Sequence, residues 1–158
     1  MWKQRHSMVP RTWCLIFNQW KILLIKYWES KWDRAWWYNR IGGHVEKWEG
    51  IIENAKREIE EETGLNPETT LKWIIHASNF FWWEFINYIT ISHSNTDQVK
   101  ENEEWTLHRV NPSQLWDFKI FADVKVVLDH IFKLKEWQVF TAKSVFDGWW
   151  TMIEFIME

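Results

Sequence analysis

The chain contains few cysteines, prolines and glycines, the residues that form disulfides or favour tight turns. Its 158 residues include one cysteine, three prolines and five glycines. The single cysteine, Cys14, excludes a disulfide framework within one chain. Cys14 lies in the apolar run TWCLIF, so we expect a buried thiol that acts as a small hydrophobe rather than as a nucleophile.

The chain also lacks a long basic run and an unbroken hydrophobic run. The formal net charge is −3, which disfavours binding to polymeric DNA or RNA because phosphate neutralisation dominates that affinity. Binding of a small phosphate ligand together with a metal ion remains compatible with this net charge. Polar residues such as His76 and Glu84 interrupt the most apolar region, 73–92, which argues against a membrane span. With no apolar core of signal-peptide length at the start, we expect a cytoplasmic location.

The remaining composition indicates one globular domain. Hydrophobic residues make up 46% and charged residues 26% of the chain, as in soluble proteins. The length suits a single domain over residues 1–158 and is too short for two ordinary domains. The sequence does not determine the oligomeric state, and a monomer or a homodimer is expected.

Apolar patterning predicts a mixed sheet with at least two helices. Strands are predicted at 12–17, 21–28, 70–77, 84–92 and 105–110, with a loop at 29–41 and a final hairpin around Asp147–Gly148. One helix is predicted at about 52–63, with Ile52, Ala55 and Ile59 on its apolar stripe and Gly64 after its end. A second amphipathic helix is predicted at 121–134, after a helical turn opened by NPSQL. These elements predict an α/β or α+β sandwich.

The first helix carries a cluster of carboxylates. Glu58, Glu61 and Glu62 are spaced i, i+3 and i+4, so they share one face and repel one another. Their position near the helix C-terminus adds an unfavourable interaction with the helix dipole. Hard oxygen ligands of this kind suit Mg²⁺ or Mn²⁺ rather than zinc. A solvated charged face is the alternative for these residues taken alone.

The flanking residues favour a site over a solvated face. The glycine pair of IGG, at 42 and 43, lets the backbone approach a ligand closely. Glu49 and Arg57 are spaced to pair between the loop and the helix. Gly43, Glu49, Arg57-Glu58, Ile59, Glu61-Glu62 and Gly64-Leu65 together match every fixed position of the Nudix hydrolase signature, which this chain therefore resembles.

The resemblance implies a fold and a chemistry. The fold is the Nudix α/β/α sandwich with a mixed β-sheet, and the activity is Mg²⁺-dependent hydrolysis of a nucleoside diphosphate linked to another group. Glu58, Glu61 and Glu62 would ligate Mg²⁺ or Mn²⁺, with the Gly42 carbonyl as a further ligand. Glu61 or Glu62 would orient or deprotonate the attacking water, and Glu49 would pair with Arg57 to hold the loop.

Residues outside this signature resemble those of the MutT-type oxidised purine nucleoside triphosphatases. Asn39 would hydrogen-bond the base, with a loop residue bonding its own backbone as the alternative. Asp123 would bind the purine edge, or simply complement the helix dipole. Glu104 would reach the metal site, with Glu101 and Glu103 as competitors or as solvated charges. Lys26 would contact phosphate, unless it is an ordinary exposed lysine.

The resemblance implies a pyrophosphohydrolase that cleaves an oxidised purine nucleoside triphosphate such as 8-oxo-dGTP to the monophosphate and pyrophosphate. Two alternatives stay open. One is an ADP-ribose or dinucleotide hydrolase of the same family, and the other is a catalytically silent nucleotide-binding domain on the same fold. A zinc hydrolase lacks support, since no pair of histidines has the His-x-x-x-His spacing.

Tryptophan stands where relatives usually carry glycine. The chain has sixteen tryptophans, and Trp36, Trp48 and Trp105 are the substitutions near the signature. Glycine at such places usually serves a positive φ or close packing, which costs a tryptophan steric strain. We therefore expect a strained loop at Trp48, with the metal ligands less affected.

Overall fold

The computed structural model describes residues 6–27, 37–100, 105–133, 139–149 and 151–158. The strands are β1 (Val9–Asn18), β2 (Lys21–Tyr27), β3 (Tyr38–Asn39), β4 (Thr69–Phe80), β5 (Trp83–His93), β6 (Trp105–Val110), β7 (Phe140–Phe146) and β8 (Met152–Met157). The helices are α1 (Ile51–Thr63) and α2 (Ala122–Ile131), with a 3₁₀ turn at Pro112–Asp117. Glu104, its competitors Glu101 and Glu103, and Trp36 lie outside the described residues.

One mixed sheet organises the chain. The strand order is β3-β2-β1-β5-β4-β7-β8, and β6 pairs with β2. β1 runs parallel to β5, and β4 runs parallel to β7, while the other pairs are antiparallel. The sheet carries α1 on one face and α2 on the other, so the predicted α/β/α sandwich is confirmed. Within the described ranges, no helix is both long and apolar enough to span a membrane.

Two hydrophobic cores lie between the sheet and the helices, one on each face of the sheet. One contains Ala55 and Ile59 of α1, packed on alternate residues of β1 and β2 that include Cys14 and Ile16. The other packs α2 on the opposite face through Val124, Val127 and Leu128. This division follows the alternation of side chains along each strand. Cys14 is fully buried in the first of these cores, as predicted, and desolvation raises the pKa of its thiol to about 11.

A short segment between β1 and β2 positions the later site. The β1–β2 hairpin is paired only at its closed end, from Ile16↔Leu23 to Asn18↔Lys21. Beyond that point the strands separate, and the segment from Tyr38 to His44 lies between them. It pairs with β2 through Ile25↔Asn39 and with β1 through Cys14↔Ile41. The prediction of a loop over 29–41 was therefore wrong at its end, since β3 owes its extended form to this pairing.

The predicted strands, the predicted helices and the final hairpin are present, with small changes at their ends. α1 begins after Gly50, whose N–H donates to Glu53 Oε2 at 3.2 Å. It ends at Thr63 and is followed by Gly64, which lies in the left-handed region with φ +72°. The predicted stripe of α1 was incomplete. Ile52 is only partly buried, whereas Asn54 is fully buried on that face. The burial of Asn54 is possible because its amide has polar partners beneath the helix.

The two described tryptophans that replace expected glycines behave differently. Trp48 has φ +72° and is 92% exposed, so its backbone is in the region that favours glycine while its side chain packs little. Trp105 begins β6, as the predicted strand at 105–110 requires, and does not have a positive φ. Strain of the expected kind is thus present at Trp48.

Replacing Trp48 by glycine is expected to stabilise the protein by roughly 1 kcal/mol. The left-handed conformation costs a residue with a Cβ about 1–2 kcal/mol, and the added entropy of glycine in the unfolded chain offsets part of that gain. Urea unfolding monitored by tryptophan fluorescence and circular dichroism measures the change.

Trp20→Gly provides the matched control. Trp20 is 84% exposed in the β1–β2 turn and does not have a positive φ, so its replacement should give no gain in stability. Equal effects of the two substitutions would contradict a specific strain at Trp48.

Candidate active site

The glycine pair at 42 and 43 lies where a side chain cannot fit. Gly42 has φ +124°, and a Cβ added there would lie 2.3 Å from the backbone oxygen of Thr12. A Cβ on Gly43 would lie 2.4 Å from Glu58 Oε1, in the space that this carboxylate occupies. The Thr12 N–H donates to the Gly43 carbonyl at 2.9 Å and ties the pair to β1. The glycines therefore bring backbone directly against β1 and the carboxylate face of α1.

The three carboxylates predicted to bind metal differ in their surroundings. Glu62 Oε2 accepts a hydrogen bond from the Gly42 N–H at 3.0 Å, and burial beside Glu58 raises the pKa of Glu62 to about 7. Desolvation also raises the pKa of Glu58, against the opposing effect of Arg57. Glu61 is the most exposed of the three, with 58% of its side chain accessible. For Glu58 and Glu62, ionisation is therefore opposed by burial and by the neighbouring carboxylates.

Arg57 joins the loop to the helix through three carboxylates. Its Nε lies 2.8 Å from Glu49 Oε1, so the predicted Glu49–Arg57 ion pair is present. Its Nη2 lies 3.0 Å from Glu58 Oε1, and its Nη1 lies 2.9 Å from Glu61 Oε2. Hydrogen bonds from Arg57 lower the pKa of Glu49 to about 2. The guanidinium therefore balances part of the negative charge and fixes the orientation of two predicted metal ligands.

A buried amide supports this arrangement from below. Asn54 Nδ2 donates to the His44 carbonyl at 2.7 Å and to Glu49 Oε2 at 2.8 Å. Its Oδ1 accepts a hydrogen bond from Thr12 Oγ1. Asn54 thus connects β1, the loop and the helix. The sequence analysis missed this residue, although a polar side chain on the buried face of a helix was a signal that could have identified it.

The residues predicted to read a base lie around Arg40. Asn39 Oδ1 accepts from the Arg40 backbone N–H at 2.9 Å and from Arg40 Nη1 at 3.4 Å. Asp123 begins α2, and desolvation raises its pKa while the charge of Arg40 opposes that rise. The N–H of Val124 donates to Asp123 Oδ1 at 2.9 Å, so the carboxylate also satisfies the helix start. Asn39 therefore bonds local backbone and Asp123 serves the start of the helix, as their structural alternatives predict. Both side chains also interact with Arg40.

Buried nitrogen atoms without partners lie close to these residues. Arg40 is 7% exposed and stacks its guanidinium over Trp13, with the ring centroid 4.8 Å away. Among the described residues, Arg40 Nε, Arg11 Nε and Trp13 Nε1 have no hydrogen-bond partner. Desolvation and the charge of Arg40 lower the pKa of Arg11 to about 10. Such donors suit an acceptor-rich ligand, and the sequence analysis missed them because they converge only in the fold.

Lys26 lies on β2 directly opposite Tyr38, and its Nζ is 5.5 Å from the centre of the Tyr38 ring. This places it beside β3 rather than in contact with the α1 carboxylates. Its predicted phosphate contact stays a prediction, and so does the role of Glu104.

The residues present fit a divalent cation. The carboxylates offer hard oxygens, and the pKa values of Glu58 and Glu62 are raised by desolvation and by neighbouring carboxylates, whose repulsion a cation would relieve. The close fit of Gly43 against the Glu58 carboxylate brings backbone next to the same oxygens. The donor set therefore suits Mg²⁺ or Mn²⁺.

Comparisons with known proteins agree with this geometry. The chain matches the family model of the NUDIX domain over residues 8–130. No similarity to a curated protein sequence is found. A crystal structure of a mutator MutT protein from Bacillus halodurans superposes with a TM-score of 0.81 and 19% identity, covering 96% of this chain and 98% of that one.

Two further structures show the same fold. The MutT protein from Methanosarcina mazei has a TM-score of 0.70 and 18% identity, covering 83% of this chain and 97% of that one. The NUDIX domain of Shewanella oneidensis NrtR, complexed with ADP ribose, has a TM-score of 0.68 and 11% identity, covering 82% of this chain and 89% of that one.

The chain belongs to the Nudix family. Its fold is the one shared by the MutT protein of Bacillus halodurans and by a NUDIX-family hydrolase from Clostridium perfringens.

Proposed function

We propose that the protein is a Mg²⁺-dependent pyrophosphohydrolase that cleaves a purine nucleoside triphosphate, with oxidised purines such as 8-oxo-dGTP as the preferred class. The products are the nucleoside monophosphate and pyrophosphate. The observation that carries the proposal is the carboxylate face of Glu58, Glu61 and Glu62, held against the glycine pair by Arg57 and by the Gly42 N–H.

The residues of this face have distinct roles in the proposed reaction. Glu58, Glu61, Glu62 and the Gly42 carbonyl would hold Mg²⁺. When bound, the cation supplies positive charge to the phosphate oxygens and lowers the pKa of a coordinated water. Glu61 or Glu62 accepts the proton of the attacking water. Arg57 keeps Glu58 and Glu61 in place, and Glu49 keeps Arg57 in place.

The substrate class is supported by the polar cluster around Arg40. An amide at Asn39, a carboxylate at Asp123 and the buried guanidinium between them offer both acceptors and donors, which is what the edge of an oxidised purine requires. Trp13 Nε1 and Arg11 Nε add buried donors that lack hydrogen-bond partners in the described part of the chain. A base that supplies acceptors would satisfy them, whereas an apolar group would leave them unpaired.

An ADP-ribose hydrolase is the second candidate. It is favoured by the similarity to the NUDIX domain of NrtR, a protein that binds ADP ribose. Both candidates use the same carboxylate face, so only the leaving group distinguishes them. A silent nucleotide-binding domain would need the base cluster but not three carboxylates on one face.

A substrate panel tests the proposal. The protein is incubated with Mg²⁺ and with 8-oxo-dGTP, dGTP, 2-oxo-dATP, ADP-ribose or diadenosine polyphosphate, and the products are separated by anion exchange. We expect nucleoside monophosphate and pyrophosphate, fastest from an oxidised purine triphosphate. Turnover of ADP-ribose alone would establish the second candidate, and nucleotide binding without any turnover would establish the silent domain.

Asp123→Asn is expected to raise KM for the preferred purine triphosphate about 10- to 100-fold while changing kcat little. A hydrogen bond to a charged group contributes about 1.5–3 kcal/mol, and Asp123 is not one of the carboxylates proposed to hold the metal or to accept the proton of water. Steady-state kinetics on the preferred substrate and on dGTP measure the change.

Asp129→Asn is the matched control, because Asp129 is on the same helix and pairs with Lys133 at the surface. Its kinetics should equal those of the unmodified protein. A fall in kcat for Asp123→Asn at unchanged KM would contradict a role in binding the base.

A further inference from the structure

Two histidines and a glutamate form a cluster outside the carboxylate face. His76 is on β4, Glu84 is near the start of β5, and His6 precedes β1. The sheet brings them together, because β1 runs parallel to β5 with Val9 opposite Phe85, and β4 pairs with β5 with Ala77 opposite Phe85. Three chain segments that are distant in sequence therefore converge at one end of the sheet.

The side chains of this cluster point at one another. Glu84 Oε2 contacts the Nε2 atoms of both rings, at 3.2 Å for His6 and more closely for His76. One potential ligand atom from each residue lies within 4.8 Å of the other two. Tetrahedral zinc with bonds of about 2.0–2.1 Å places its ligand atoms roughly 3.3 Å apart, so small side-chain rotations suffice to admit the ion.

The ligand set and its exposure favour a transition metal over Mg²⁺. Two imidazole nitrogens and one carboxylate oxygen suit Zn²⁺, whereas Mg²⁺ prefers oxygens alone. The side chains are 60%, 36% and 29% exposed for His6, His76 and Glu84, which leaves room for water as a fourth ligand. Partial burial raises the pKa of Glu84, but hydrogen bonds from both histidines outweigh it and hold that pKa below its ordinary value.

We propose that His6, His76 and Glu84 form a zinc-binding site, separate from the carboxylate face of α1. The site ties the residues before β1 to the β4–β5 pair, because His6 is the ligand contributed by that segment. Zinc would then stabilise the folded chain in proportion to its free concentration. This proposal does not rest on the hydrolase activity.

Zinc titration of the untagged full chain tests the proposal. The protein is stripped with EDTA, dialysed into excess Mg²⁺ to saturate the carboxylate face, and titrated with ZnCl₂ by calorimetry. We expect one equivalent of zinc to bind, together with a rise in Tm on adding zinc. Binding of Co²⁺ should give the visible absorption of a tetrahedral site.

Two variants and one control decide the outcome. His6→Ala and Glu84→Gln should each weaken zinc binding at least about tenfold and remove the Tm shift. His6 is exposed and precedes β1, so its replacement leaves the sheet intact and decides the result even if Glu84→Gln unfolds. His93→Ala, at the far end of β5, should bind zinc normally. Absence of saturable zinc binding, or binding unchanged in both variants, would overturn the proposal.

Discussion

Glu62→Gln is expected to reduce hydrolysis by about 10²–10⁴-fold while stabilising the metal-free protein. The loss follows from removing a carboxylate that is proposed to hold Mg²⁺ or to accept the proton of water. The gain follows from burial, which raises the pKa of Glu62 to about 7 from an ordinary value of 4.5. A glutamine can still accept the Gly42 N–H, so the loop contact is kept.

The sign of the pH effect follows from that pKa. Because the folded state holds the Glu62 proton more tightly, this group favours folding below about pH 4.5, and the benefit disappears as pH rises to about 7. In EDTA at pH 8, the variant should therefore be more stable by about 2 kcal/mol, and the gain should shrink toward pH 5. Urea unfolding at a series of pH values measures it, alongside the rate of pyrophosphate release.

Glu60→Gln is the matched control for Glu62→Gln. Glu60 is an exposed residue of the same helix and undergoes the same charge change. It should retain full activity and show no gain in stability. Full activity of Glu62→Gln would refute the assignment of the carboxylate face, and an unchanged stability at pH 8 would refute the raised pKa.

Gly42→Ala is expected to lower the free energy of unfolding by about 3 kcal/mol or more. The new Cβ would lie 2.3 Å from the Thr12 oxygen, which belongs to backbone that is fixed by the β1 pairing. The positive φ of +124° adds further strain for any residue with a Cβ. Chemical unfolding followed by far-ultraviolet circular dichroism measures the loss.

Gly50→Ala separates this steric effect from the general cost of replacing a loop glycine. Gly50 has φ −79°, and the nearest atom to an added Cβ is 3.8 Å away. Its replacement should cost less than about 1 kcal/mol, as expected for a change at a helix N-cap. Similar losses for both variants would mean that the close approach to Thr12 does not determine stability.

The carboxylate face could be predicted from sequence because it is local. Glu58, Glu61 and Glu62 share one face of one helix by spacing alone, and Glu49 and Arg57 are close along the chain. The apolar runs predicted the main strands for a similar reason, since period-two burial is visible within a few residues. Strain at Trp48 was predictable because the matched pattern indicated where glycine was expected.

The supporting residues could not be predicted because their partners are distant in sequence. The burial of Asn54 depends on Thr12 and on the His44 carbonyl. The short strand at Tyr38–Asn39 has no pattern of its own and exists because β1 and β2 separate there. The same limit applies to Arg11 on β1 and Arg40 just after β3, whose side chains come together only in the fold. Local spacing therefore identified the proposed metal ligands, while tertiary pairing determined which residues hold them in place.

The parallel pairing of β1 with β5 has a consequence for how the chain acquires its fold. Val9 pairs with Phe85, so β1, which holds the glycine pair in place, lacks its neighbour β5 until synthesis has reached that strand. Contacts between residues so far apart in sequence form slowly, because a long loop must close before they can be made. The α1 helix can form early from local contacts, while the loop that aligns its carboxylates becomes fixed late. Substitutions that weaken β1–β5 pairing should therefore slow the appearance of metal-binding capacity during refolding more than the appearance of helical signal.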